Sequence, residues 1–192
     1  MKDNSMRKLI MWNVITLDGY FEGERNWDLN FHELVWGKEV EDLSLTQLKS
    51  ADMLVFGKTT YEGMADYWKN AQGEIEIAKL MNEIQKIACS STLKTADWNN
   101  TTIVKDAVAE IPKLKEQGSG DMYVFGSGNL SESLMKADLF DEFRLCIAPV
   151  FLGKGRLLFR GGIPHNKLKL LEARALATGG IILRYALNEK SR

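Results

Sequence analysis

Met53-Leu54-Val55-Phe56-Gly57-Lys58-Thr59-Thr60-Tyr61-Glu62 and Tyr123-Val124-Phe125-Gly126-Ser127-Gly128-Asn129-Leu130-Ser131-Glu132-Ser133-Leu134 are one local pattern written twice. Each is a short apolar run, then glycine, then a residue suited to opening a helix, then apolar positions at helical spacing. That order reads as strand, tight turn, helix. Glycine permits the turn and a close approach of the backbone, and the helix start offers unpaired N–H groups and a positive dipole end. Two such junctions suggest a phosphate-bearing ligand held at two helix starts, hence a nucleotide-type cofactor.

Composition sets bounds around this pattern. A chain of 192 residues is expected to form one domain that buries roughly 70% of its unfolded surface. Apolar residues make up 45% and charged residues 27%, ordinary values for a soluble globular protein. A net charge of −1 without a long basic run argues against nucleic-acid or membrane-surface partners. Cys89 and Cys146 each sit inside an apolar run and read as free thiols in buried strands. Leu9–Leu17 is too short to span a bilayer, and no cleavage-site pattern follows it. A cytoplasmic location is the expectation, and a homodimer is left open.

Residues 1–6 are polar and read as a loose extension. Strands are expected at Leu9–Leu17, Met53–Phe56, Lys86–Cys89, Thr101–Val104, Asp121–Phe125 and Phe143–Phe151. Helices are expected at Val40–Ala51, Ile75–Ile84, Ala107–Gln117 (with Pro112 awkward inside it) and Asn129–Ala137. Leu168–Ala173 and Ile181–Leu187 flank Thr178-Gly179-Gly180 as a hairpin. Alternating strands and helices closed by a hairpin imply a three-layer α/β domain with a mixed, mostly parallel sheet.

These segments carry a family resemblance. Thr16-Leu17-Asp18-Gly19-Tyr20, the two glycine junctions, Cys89-Ser90-Ser91-Thr92, Leu139-Phe140-Asp141-Glu142-Phe143-Arg144-Leu145, Ala148-Pro149-Val150-Phe151-Leu152-Gly153-Lys154-Gly155 and Leu157-Leu158-Phe159 run in one order along nearly the whole chain. The pattern resembles the dihydrofolate reductase-like fold, in the branch of the reductase domain of the riboflavin-pathway deaminase–reductase. The resemblance implies NADPH, gripped through Gly57, Lys58, Thr59 and Thr60 at one junction and Gly126, Ser127, Gly128, Asn129 and Leu130 at the other. It further implies that Ser90, Ser91 and Thr92 lie at the adenosine 2′-phosphate, with Lys58 as the charge that favours NADPH over NADH. Gly126 and Gly128 are then expected to serve ligand approach more than folding.

Gly57-Lys58-Thr59 is not the end of a P-loop, because Asp52 stands where that motif needs glycine. Gly153-Lys154-Gly155 reads first as a tight turn. On the substrate side, family analogy points to Asn13, Asp18 and Tyr20, with Trp27 and Phe31 as aromatic walls for a heterocycle. Folate-reducing relatives place a carboxylate on the helix after this loop; Asp28 and Glu33 are nearby but sit in no matching motif. Riboflavin-pathway reductases carry an acidic residue where this chain has Phe125, and an Asp-Asn-Pro stretch where it has Ala65-Asp66-Tyr67-Trp68. The zinc signature of the deaminase half is absent. His32 and His165 are isolated and are read as neither metal ligands nor catalysts. The expectation is an NADPH-dependent reductase of a small pterin-like or ribosylaminopyrimidine-like substrate. The alternatives are a dinucleotide- or pterin-binding protein without turnover, and a flavin or nitro-compound reductase.

Overall fold

Leu-Ile-Met-Trp-Asn-Val-Ile-Thr, β1 (Leu9–Thr16), is buried at every position, as a central strand covered on both faces must be. It belongs to a computed structural model that describes residues 7–187; the expected N-terminal extension lies outside the described residues. After β1 come β2 (Tyr20–Glu22), a 3-10 turn (Asn30–Leu34), α1 (Lys38–Ser50), β3 (Ala51–Gly57), α2 (Lys58–Asn70), α3 (Ile75–Glu83) and β4 (Gln85–Cys89). Then follow β5 (Thr101–Val104), α4 (Ala107–Lys115), β6 (Asp121–Phe125), α5 (Gly128–Lys136), β7 (Glu142–Ala148), β8 (Arg156–Leu157), β9 (Leu168–Ala175) and β10 (Ile181–Leu187).

Eight strands form one sheet in the order β5-β4-β3-β6-β1-β7-β10-β9. The six from β5 to β7 are parallel, and β10 runs antiparallel to both β7 and β9. Strand periodicity deals the β1 side chains to two layers. Ile10, Trp12 and Val14 pack with Val40, Leu48, Tyr61 and Met81 of α1, α2 and α3. Leu9, Met11 and Ile15 face Ile111, Leu134 and Met135 of α4 and α5. The three-layer mixed sheet with a closing hairpin is therefore what the chain forms.

The chain leaves β1, builds β3, β4 and β5 outward, then returns to insert β6 between β3 and β1. The C-terminal ends of β3 and β6 thus lie side by side where strand order reverses, the place where open α/β sheets hold ligands. On the flank of β7, β10 and β9, Glu142 (3% exposed) sits between Arg144 and Arg184 at 2.5 and 2.7 Å. Arg184 reaches on to Glu172, which also pairs with Arg174.

Three expectations need correction. The strand expected over Phe143–Phe151 stops at Ala148, because Pro149 has no N–H to give the ladder. The α4 helix ends at Lys115 rather than Gln117; Glu116 and Gln117 N–H close its last turn by three-residue bonds to the Lys113 and Leu114 carbonyls, before Gly118 turns the chain at φ 105°. Arg156–Leu157, outside the expected strands, pairs with β2 as a second small antiparallel sheet. Among the described residues, no helix is long and apolar enough to cross a membrane.

Candidate cofactor and substrate cleft

A cleft of about 1020 Å³ crosses the C-terminal ends of the parallel strands. Its floor is where the two glycine junctions meet. Gly57 N–H donates to Ser127 Oγ at 2.7 Å, so the loop after β6 is tied directly to the loop after β3. Gly126 and Ser127 both take left-handed backbone, at φ 58° and 59°. A side chain on Gly57 would stand 3.2 Å from Ser127 Oγ, and one on Gly126 3.3 Å from Thr60 Cγ2. Neither α2 nor α5 has a side-chain cap on its first turn, so N–H groups at both starts are left for water or ligand. The α4 start, also at the cleft, is different: Asp106 accepts from Ala109 N–H and closes it.

Of the residues assigned to the cofactor, Gly57, Lys58, Thr59, Thr60, Ser90, Ser91, Gly126, Ser127, Gly128, Asn129 and Leu130 all line this cleft, and Thr92 does not. Ser90 Oγ accepts from Thr92 N–H and Leu93 N–H at 3.1 and 3.0 Å, which makes this stretch a hydroxyl-closed turn as well as a wall. Gly128 has a packing role: a Cβ there would lie 2.8 Å from the Phe21 ring. Its bareness therefore seats β2 against α5 as much as it opens the cleft. Burial pushes the Cys89 thiol up to about 12, so this cleft residue is no nucleophile at neutral pH.

On the substrate side the structure brings together only part of the expected set. Asn13 is buried and lines the cleft, its Nδ2 without a partner among the described residues. Trp27 lines it too, held at φ 65° by its N–H to Glu22 Oε1 at 2.6 Å, with its indole on the bare face of Gly63. Asp18, Tyr20 and Phe31 lie elsewhere. Asp18 accepts from Thr16 Oγ1, Leu152 N–H and Gly153 N–H. Desolvation pushes its carboxyl up, but those three bonds outweigh it and hold the carboxyl below its usual value. Tyr20 donates to the Gly153 carbonyl, and Phe31 is core. Neither Asp28, Glu33 nor Gly153-Lys154-Gly155 reaches the cleft.

Several lining residues are given no site role by the sequence: Glu22, Lys105, Arg156, Arg160, Trp12, Trp36 and Trp68, and also His32, which reads there as an isolated histidine. A glycine at position 63, inside a helix, costs about 1 kcal/mol against alanine, and its bare face is the place the Trp27 indole takes. Arg156 is already paired with Glu22 at 3.0 Å, and Arg160 with Glu132 at 3.3 Å and Asn129 at 2.7 Å. Lys58 stands 3.9 Å from Glu62. Lys105, in the wall with Ser90 and Ser91, makes no ion pair with a described residue.

This is the cleft of a dihydrofolate reductase-like domain, and comparison with known proteins places the chain further. The sequence profile of the RibD C-terminal domain matches residues 7–182, so the chain belongs to that family. It is 28% identical over 186 residues to the uncharacterized protein YyaP of Bacillus subtilis (strain 168), covering 95% of this chain and 96% of YyaP. A candidate riboflavin biosynthesis protein from Shewanella sp. PV-4 superposes with a TM-score of 0.77 at 18% identity, over 95% of this chain and 99% of that one. Dihydrofolate reductase from Enterococcus faecalis, complexed with NADP(H), superposes at 0.64 and 14% identity, over 95% and 97% of the two chains.

Proposed function

We propose that the protein is an NADPH-dependent reductase of a small planar substrate, working in the cytoplasm. The observation that carries this is the joined pair of glycine junctions, with Ser127 Oγ bridging them and two uncapped helix starts around them. That cradle fits a pyrophosphate, because the uncapped N–H groups and positive ends of two helices border one cleft. Family membership supports a reductase-type activity, and a relative of the same fold carries NADP(H).

The bound dinucleotide would supply a hydride. The protein's own residues do the rest. Thr59, Thr60, Ser127 and Asn129 orient the phosphates; Ser90, Ser91, Lys58 and Lys105 receive the 2′-phosphate end; Trp27, pinned by Glu22 and Gly63, covers the cleft and excludes water. A second reading, binding without turnover, is favoured by one observation: both carboxylates lining the cleft, Glu22 and Asp106, are committed to other partners.

Parallel titrations with NADPH and NADH at fixed salt test the proposal. NADPH is expected to bind tighter. Lys58→Ala and Lys105→Ala should each cost roughly 1–3 kcal/mol of NADPH affinity, the scale of a charge-assisted contact, and leave NADH nearly unchanged. Equal affinities, or no binding, refute the cofactor assignment. Binding without oxidation of NADPH by any acceptor establishes the second reading.

A further inference from the structure

On the layer of α1 and α2 the cleft lining includes Trp12, Met64 and Trp68, which share one apolar cluster, together with Trp36, and the polar side chains His32 and Ser44; this part is the apolar branch. Ser44 Oγ is spent on the Val40 carbonyl of its own helix. His32 makes no side-chain hydrogen bond to a described residue, and its Nε2 is shielded and unpartnered. Nδ1 makes no such bond either and is not shielded, so it is the ring nitrogen open to a ligand. An orphaned buried N–H is rarer than an orphaned lone pair, which favours the tautomer with the proton on Nδ1. Burial holds this ring neutral, pushing it down to about 4. It is a hydrogen-bond donor, not an acid in waiting.

The charges agree. The cleft's carboxylates are both committed, Asp28 and Glu33 lie outside it, and Arg156 and Arg160 are neutralised by Glu22 and Glu132. Nothing in this branch meets a charged or amidine-like edge. Its aromatic walls suit a flat ring.

We propose, building on the reductase reading, that this branch takes a quinone-type acceptor: an uncharged planar ring whose carbonyl oxygen accepts from His32 Nδ1–H. A quinone asks least of the site. The C4–H bond of the dihydronicotinamide breaks, and its electron pair and hydrogen pass together to the quinone. The ring becomes an aromatic hydroquinone monoanion, and one proton from water completes the hydroquinone while the nicotinamide is left oxidised. No standing acid is required. A pterin, in contrast, needs a proton placed on ring nitrogen and a carboxylate to hold its amino edge.

The test uses the full chain, with tryptophan-fluorescence titration of naphthoquinone, naphthoquinone sulfonate and dihydrofolate, alongside NADPH consumption with each. Naphthoquinone should bind about tenfold tighter than its sulfonate, whose charge finds no partner in the branch, and should be reduced. His32→Phe should weaken naphthoquinone about fivefold, the scale of one neutral hydrogen bond, in KM more than in kcat. His32→Asn, whose Nδ2 falls near the place of Nδ1, should recover most of that loss. NADPH affinity should stay within about twofold in both variants, because His32 belongs to the 3-10 turn before α1 and to neither glycine junction. Sulfonate or dihydrofolate bound as tightly as naphthoquinone would overturn the proposal. So would indifference to His32→Phe, or naphthoquinone bound beside NADPH without reduction. If NADPH fails to bind while naphthoquinone remains His32-dependent, the cofactor assignment falls and the ring site stands.

Discussion

Gly128 shows how one missing side chain serves two purposes. The ring of Phe21 occupies the space its Cβ would take, at 2.8 Å, so Gly128→Ala must displace that ring from its seat between β2 and α5. We expect this variant to lose about 2 kcal/mol of stability, the scale of an overpacked site, and to lose NADPH affinity with it. Phe21→Leu should be worth less in the Gly128→Ala background than in the parent. Denaturant melts of the four proteins give that coupling directly; additive losses would show that Phe21 is not what the glycine accommodates. Residues of this kind were half legible. Glycines after apolar runs announce a turn whatever follows them. Nothing local announced Lys105 or His32, because a lone lysine after a strand and a lone histidine in a loop carry no pattern. Lys86 is the extreme case: it reads as the polar start of a strand. In the structure it is 1% exposed, its Nζ donating to the carbonyls of Asn82, Ile84 and Asn99.

Elements were legible where their pattern is long and local, and not where pairing is remote. The central strands announced themselves as apolar runs bounded by glycine. The β2–β8 ribbon did not, since β8 is two residues long and its partner lies over a hundred positions away in the sequence. The ion ladder across β7, β10 and β9 was equally hidden, as it joins charges that look solvated one strand at a time. Glu142 is its centre. Desolvation pushes its carboxyl up, but bonds from Arg144 and Arg184 prevail and hold it below the ordinary value. Its contribution is therefore present above the unfolded pKa of about 4.3 and is lost as pH falls through the lower folded value. Glu142→Gln leaves two arginines facing each other and should cost about 3 kcal/mol at neutral pH. Urea melts from neutral pH to pH near 3 should show the variant and parent converging in acid. A constant gap across that range would mean that the carboxylate's charge is not what holds the ladder.

For the whole molecule, the strand order was the least legible property. Sequence periodicity supplies strands but not neighbours, and the return of β6 to a place between β3 and β1 is seen only in the structure. That insertion has an energetic consequence. The cleft takes residues from β1, β3 and β6 and from the starts of α2, α4 and α5, so both helical layers and both halves of the parallel sheet contribute to it. A ligand seated there links elements that would otherwise open independently. At about a hundredfold excess over its dissociation constant, NADPH should add about 2.7 kcal/mol of stability by mass action. For a chain of this length that is a rise in Tm of roughly 5–10 °C. The transition should stay single and move as one, because the cleft draws on β1 as well as on β3 and β6, and so on both halves of the sheet. Calorimetric scans with NADPH and with NADH at matched concentrations check this, and the NADH shift should be smaller. An unmoved Tm at saturating NADPH would count against the dinucleotide site. A melt that splits, with only one part responding, would show that the two glycine junctions do not bind as a unit.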